Sequence, residues 1–185
     1  MADSGHSVFL CIGDSVSDNI FLVGPMGVGK TTVGSQLARM LRYEFIDSDQ
    51  EIEKHTGASI SLIFDIEGED GFRVREARMI DELTGRKHIV LSTGGGSVLN
   101  EVSRQHLRSR GFTIYLKASN ELLHERLQKS RNRPLMETDD KLAVIEKLTE
   151  EREPLYFAVA DATVLTDGRS AHDVAQEIHR LYTNN

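Results

Sequence analysis

Lysine and arginine are missing from this chain until Lys30. A secretory signal needs a positive n-region and an organellar transit peptide needs arginines, so neither is expected. Cysteine occurs once, at Cys11, which rules out an intrachain disulfide and suits a reducing, cytoplasmic setting. The seven histidines lack ligand-like spacing to cysteine or carboxylates, so no structural zinc site is indicated. Long apolar runs are missing too. Val8-Phe-Leu-Cys-Ile12 falls far short of the ~20 residues that a bilayer-spanning helix requires. Positive charge is in deficit, 22 Lys and Arg against 29 Asp and Glu, for a net charge of −7. That balance argues against general affinity for nucleic acid or an anionic membrane. At 185 residues the chain can bury one good core and is short for two.

Against that background one segment stands out. Gly24-Pro-Met-Gly-Val-Gly-Lys30-Thr31 matches the phosphate-loop pattern G-x-x-x-x-G-K-[ST]. Asn19–Val23 before it reads as a buried strand, and Thr32–Arg42 after it has Val33, Leu37, Met40 and Leu41 at helical spacing. Glycines let successive N–H groups curl around phosphate oxygens, and the helix N-terminus adds its positive dipole end. Lys30 is expected to reach the β- and γ-phosphates and the Thr31 hydroxyl to ligate magnesium; Gly27, Val28, Gly29 and Thr32 complete the nucleotide contact. A nucleoside triphosphate is the expected ligand.

Strand-like and helix-like segments alternate along the rest of the chain, the pattern of a parallel α/β sheet. Strands are expected at Tyr43–Asp47, His88–Ser92, Phe112–Leu116 and Thr163–Thr166. Helices are expected over Asp49–His55, from a Ser59 cap to Gly68, and over Phe72–Leu83, Glu101–Ser109, Ser119–Gln128, Asp140–Glu153 and Ala171–Tyr182. The resulting fold class is a three-layer α/β/α domain with a central parallel sheet of about five strands. Residues 1–18 read as a disordered or loosely packed extension.

Asp47 and Asp49 follow the second strand at i and i+2, where extended backbone projects both carboxylates from one face. One is suited to magnesium, which takes few protein ligands, and the other to a hydrogen bond from an attacking hydroxyl. Gly94-Gly95-Gly96 follows the third strand at the same sheet edge. It allows a substrate close to the backbone with amide donors free, or serves only as a flexible connector. Arg73, Arg133 and Arg152 border the expected cleft, and guanidinium forks are the best holders of a planar carboxylate. The Lys129–Leu135 segment reads as a lid in which Arg126 and Arg133 close over the triphosphate and exclude water.

These residues together resemble the shikimate kinase family, small P-loop kinases of the aromatic amino-acid (chorismate) pathway. The resemblance runs from about Asn19 onward through Gly24–Thr31, Phe45-Ile-Asp-Ser-Asp49, Gly71-Phe-Arg73, Thr93-Gly-Gly-Gly96, Arg131-Asn-Arg-Pro134 and Arg152-Glu-Pro-Leu-Tyr156. It implies a single P-loop kinase domain over residues 19–185 with a lid at about 129–138. It also implies magnesium-dependent transfer of the ATP γ-phosphoryl group to the 3-hydroxyl of shikimate, by a cytoplasmic monomer. By position, Asp49 would bind the acceptor hydroxyls and act as the base, with Lys30 and Arg133 as the other catalytic groups. Thr31 and Asp47 would hold the metal. Arg73, Arg152 and the glycines Gly94, Gly95 and Gly96 would hold the carboxylate, with Glu76 orienting the arginines. Ile60, Phe64 and Phe72 would form the apolar side, Arg126 would lie over the adenine, and Arg169 would border it. A gluconate or nucleoside-monophosphate kinase on the same scaffold, or a P-loop switch, stands as the alternative.

Overall fold

In a computed structural model, which describes residues 18–128 and 141–184, five strands form one sheet: β1 (Ile20–Val23), β2 (Glu44–Asp47), β3 (Ile89–Ser92), β4 (Phe112–Lys117) and β5 (Ala162–Leu165). Their order is β2-β3-β1-β4-β5, and every pairing is parallel. Seven helices lie among the described residues: α1 (Lys30–Leu41), α2 (Ser48–Thr56), α3 (Ile60–Thr84), α4 (Glu101–Arg110), α5 (Asn120–Gln128), α6 (Lys141–Val159) and α7 (Ala171–Thr183). The expected three-layer parallel α/β fold is the one observed.

The central strands are apolar on both faces because both are covered. On β1, Ile20 and Leu22 join Val33 and Leu37 of α1 and Ala175 and Ile178 of α7 in one core. Phe21 and Val23 point the other way, into a second core with Ile80 and Leu83 of α3 and Leu107 of α4. This period-two division places the two cores on opposite sides of the sheet. All strands being parallel, their carboxyl ends open on one edge, and the crossover from β1 to either neighbour leaves a crevice there.

Two helices differ from expectation. The segments expected on either side of Gly68 form one helical span, α3, interrupted by Gly68 itself with φ 71 and ψ −176. That left-handed residue lets the chain fold back, so Phe64 meets Phe72 with ring centroids 4.8 Å apart. Glu67 and Arg75 bond across the same break at 2.8 and 2.6 Å. Helix α6 was expected to stop at Glu153, yet it continues through Pro154 to Val159. A proline there removes one i→i−4 bond, but Tyr156 and Val159 beyond it are buried in the second core, and that burial outweighs the loss. Arg133 and the lid expected at 129–138 lie outside the described residues, as does all but Asp18 of the leading extension.

Candidate active site

The loop after β1 turns into α1 through Gly29, whose φ of 104 is strained for any residue with a side chain. Helices α2, α3, α4 and α7 each begin on a side-chain oxygen that caps them, from Asp47, Ser59, Asn100 and Ser170. Helix α1 has no side-chain cap and no acidic residue in its first turn. Its leading N–H groups and positive dipole end therefore face the loop uncompensated, the arrangement that receives phosphate. Lys30 is 91% buried (9% exposed), and its Nζ donates to the Gly24 and Pro25 carbonyls at 2.8 and 2.9 Å, spanning the loop. From α5, Arg126 donates to the Gly27 and Val28 carbonyls at 3.2 and 2.9 Å. A cleft of about 330 Å³ opens beside it, lined by Gly27, Gly29, Thr32, Arg126, Thr166 and Arg169. Both arginines expected near adenine thus meet the phosphate loop in one cleft. Arg169 is fixed there by Glu177 at 2.5 Å and by the Leu165 and Asp173 carbonyls.

Across the loop from this cleft, Thr31 Oγ1 donates to Asp47 Oδ2 at 2.8 Å. Asp47 Oδ1 accepts from the Asp49 and Gln50 amides. The sequence rule for alternating carboxylates does not hold here, because Ser48 already begins α2 and extended geometry ends at Asp47. Asp49 instead turns toward Gly94. A β-carbon at Gly94 would come within 2.7 Å of Asp49 Oδ1 and 2.5 Å of Glu76 Oε1, so glycine is what lets both carboxylates approach the turn. The Gly94 amide is not free, as had been expected of the triple glycine; it donates to Ser48 Oγ at 2.9 Å.

Two arginines complete this end. Arg73 bonds Glu76 at 2.7 Å and Glu69 at 2.8 Å, with its guanidinium 5.3 Å from the Phe72 ring centre. Burial works against the charge of Arg73, but Glu76 and Glu69 outweigh it and raise its pKa further. Burial pushes the Glu76 carboxyl above its ordinary range, while Arg73 and Arg152 pull it back. Arg152 on α6 is only 7% exposed. Its Nε and Glu76 Oε1 are buried without a hydrogen-bond partner among the described residues. Each such atom costs about 1–3 kcal/mol, and Glu76 Oε1 lies beside the Gly94 turn, so this end of the crevice is short of polar partners.

The structure therefore brings Asp49, Arg73, Glu76, Gly94 and Arg152 to one end of the crevice and Gly27 to Thr32, Arg126 and Arg169 to the other. Gly95 lies against the phosphate loop, its would-be β-carbon 3.4 Å from the Met26 amide, and Gly96 is covered by the Arg73 guanidinium. Phe64 and Phe72 pack together below Arg73, and Ile60 joins them on the second core. Sequence reasoning gave no role to three residues: Ser48, Glu69 and Tyr156. Glu69 stands four residues before Arg73, a spacing that itself signals a helical ion pair. Ser48 and Tyr156 act on turns distant in sequence, and spacing carries no signal for that.

Fold and site together define a P-loop kinase, with a phosphate loop at one end of the crevice and paired carboxylates and arginines at the other. The shikimate kinase family model matches residues 26–183. A shikimate kinase of Pasteurella multocida is 53% identical over 167 residues, covering 90% of this chain and 95% of the relative. One from Mannheimia succiniciproducens is 54% identical over the same shares. The structure of shikimate kinase from Acinetobacter baumannii in complex with shikimate matches with a TM-score of 0.89 at 47% identity, over 91% of this chain and 94% of that one. The chain belongs to the shikimate kinase family.

Proposed function

We propose that this protein transfers the γ-phosphoryl group of ATP to the 3-hydroxyl of shikimate, giving shikimate 3-phosphate. The observation that carries the reading is the Arg73–Glu76–Arg152 group beside Gly94 and Asp49, with Glu76 and Arg152 buried and Arg73 half-buried. Its unmatched Nε donor and buried positive charge suit a carboxylate, and Asp49 suits the hydroxyls of a small polyhydroxy acid. A nucleotide acceptor would want base-recognition contacts instead.

In this reading the α1 amides and Lys30 hold the β- and γ-phosphates, and Lys30 exchanges the Gly24 and Pro25 carbonyls for phosphate oxygens. Gly27, Val28, Gly29 and Thr32 follow the phosphate chain, while Arg126 and Arg169 flank the adenine. Arg73 and Arg152 hold the acceptor carboxylate with Gly95 and Gly96 at its back, and Glu76 keeps the two guanidinium groups in place. Phe64, Phe72 and Ile60 form the apolar floor. Asp49 accepts the hydroxyl proton as the acceptor oxygen bonds the γ-phosphorus and the β–γ bridging bond breaks, releasing ADP. Arg133 is assigned to the transferring phosphoryl group by motif alone.

Magnesium fits the residues present. Thr31 Oγ1 and Asp47 Oδ2, which meet in a hydrogen bond at 2.8 Å, are the hard oxygen donors that magnesium takes, and they are the residues that would hold it. Magnesium takes few protein ligands, and no cluster of three or more His, Cys, Asp or Glu suited to a metal occurs among the described residues. When bound, the ion neutralises charge on the β- and γ-phosphate oxygens. We take the protein to act as a cytoplasmic monomer; no helix among the described residues is long and apolar enough to cross a membrane. The test is ADP release by purified protein with ATP, magnesium and a panel of hydroxylated acids that includes gluconate. Release dependent on shikimate is expected, and absence of turnover with shikimate sinks the reading.

A further inference from the structure

Tyr156 takes no part in the chemistry above, yet its hydroxyl meets the glycine turn on which the Arg73 guanidinium rests. Arg152 and Tyr156 stand four residues apart on α6, so they leave the helix on one face. The Tyr156 ring is 1% exposed and stacks on Tyr115, with centroids 5.1 Å apart and 24° between planes. Its hydroxyl projects beyond that stack, donating to the Gly95 carbonyl at 2.5 Å, with the Arg152 charge close enough to act on it. A phenol has one proton and can accept as well. With the proton committed to Gly95, the oxygen is left to face the guanidinium with its lone pairs. Burial pushes the hydroxyl pKa up to about 12, against the opposing pull of Arg152, so the proton stays in place at neutral pH.

The Gly95 carbonyl belongs to the peptide that leads into Gly96, and Gly96 is the residue on which the Arg73 guanidinium rests. A β-carbon there would overlap that group. One hydroxyl therefore faces the Arg152 charge on its own helix and, through a peptide plane, anchors the turn on which Arg73 rests. The stack alone would be met by phenylalanine, and Tyr115 directs its own hydroxyl elsewhere, to Glu153 at 3.1 Å.

We infer that Tyr156 is a positioning residue whose hydroxyl sets the separation of the Arg73 and Arg152 guanidinium groups, and so the preference for an acceptor that carries a carboxylate. The inference rests on the reading that those arginines hold the shikimate carboxylate.

The test compares wild type with Tyr156→Phe in turnover, and in calorimetric binding of shikimate and of its methyl ester, which lacks the charge. Loss of a partly buried hydrogen bond that leaves its acceptor unpaired is worth about tenfold. The expected outcome is therefore an increase of about tenfold in KM and Kd for shikimate. KM for ATP should stay within about twofold, and the acid-over-ester binding ratio should shrink by about the same tenfold. A variant that weakens acid and ester equally, or shifts only the melting temperature, overturns the positioning role. So does one that leaves shikimate binding unchanged. Wild-type protein that phosphorylates another acceptor but not shikimate overturns the functional reading, and this inference with it. Shikimate turnover with an unaltered acid-over-ester ratio in the variant removes the inference alone.

Discussion

At the phosphate-loop end of the crevice, the groups of the loop are main-chain amides and one lysine, all from Gly24–Thr31 and the first turn of α1, with Arg126 and Arg169 beside them. At the acceptor end they are charged side chains from the β2–α2 junction, α3 and α6, gathered around a glycine turn after β3. The first end is contiguous and is held by backbone geometry, whereas the second exists only once the sheet has assembled. A contiguous site can be recognised from its spacing. An assembled one stores its specificity in buried charge and is broken by any change to a single partner.

The contrast can be broken most severely at its donor end. Lys30→Ala should reduce kcat/KM by about 10³-fold and also weaken ADP binding measured by calorimetry; full activity would overturn the phosphate-loop assignment. Asp49→Asn should cost about 10²- to 10³-fold in kcat while ADP binding survives, because the change lies wholly in the acceptor end. Normal turnover in that variant removes Asp49 from the mechanism. Smaller again, Arg152→Lys keeps the charge but loses the planar fork, and is expected to raise KM for shikimate by about tenfold with KM for ATP within about twofold. Equal changes in both constants would mean that the two ends are not separate.

The mildest prediction concerns stability against pH. The Glu76 pKa is raised in the fold above its reference of 4.5, chiefly by burial. A raised carboxyl contributes stability that is complete below the unfolded pKa and is lost as pH rises through the folded one. The stability of wild type relative to Glu76→Gln, read from urea midpoints, should therefore fall as pH rises from 4.5 toward neutrality. A difference independent of pH would show that the arginines cancel the burial.

Most of the architecture was legible because strand and helix periods alternate cleanly, and because a glycine-bounded strand before a P-loop permits little else. What the sequence hid was decided by tertiary contact. Pro154 argues locally for a helix end, yet Tyr156 and Val159 find the second core and draw α6 onward. Asp49 looked like a partner to Asp47 on an extended strand, but α2 starts one residue earlier and turns it toward Gly94. The arginines could be suspected from chemistry, but that Glu76 would lie between Arg73 and Arg152 depends on α3 meeting α6, which no spacing reveals.

Asp47 shows how closely the two ends are joined. One of its oxygens begins a helix and the other faces the Thr31 hydroxyl. An asparagine that keeps its oxygen on the α2 amides turns an NH2 group toward Thr31, which can still donate to that hydroxyl but offers no oxygen on that side. Among short side chains only a carboxylate faces both directions with equal competence. The junction between donor and acceptor is thus a demand for two-fold symmetry in one functional group, met by aspartate and by no amide or alcohol of its size.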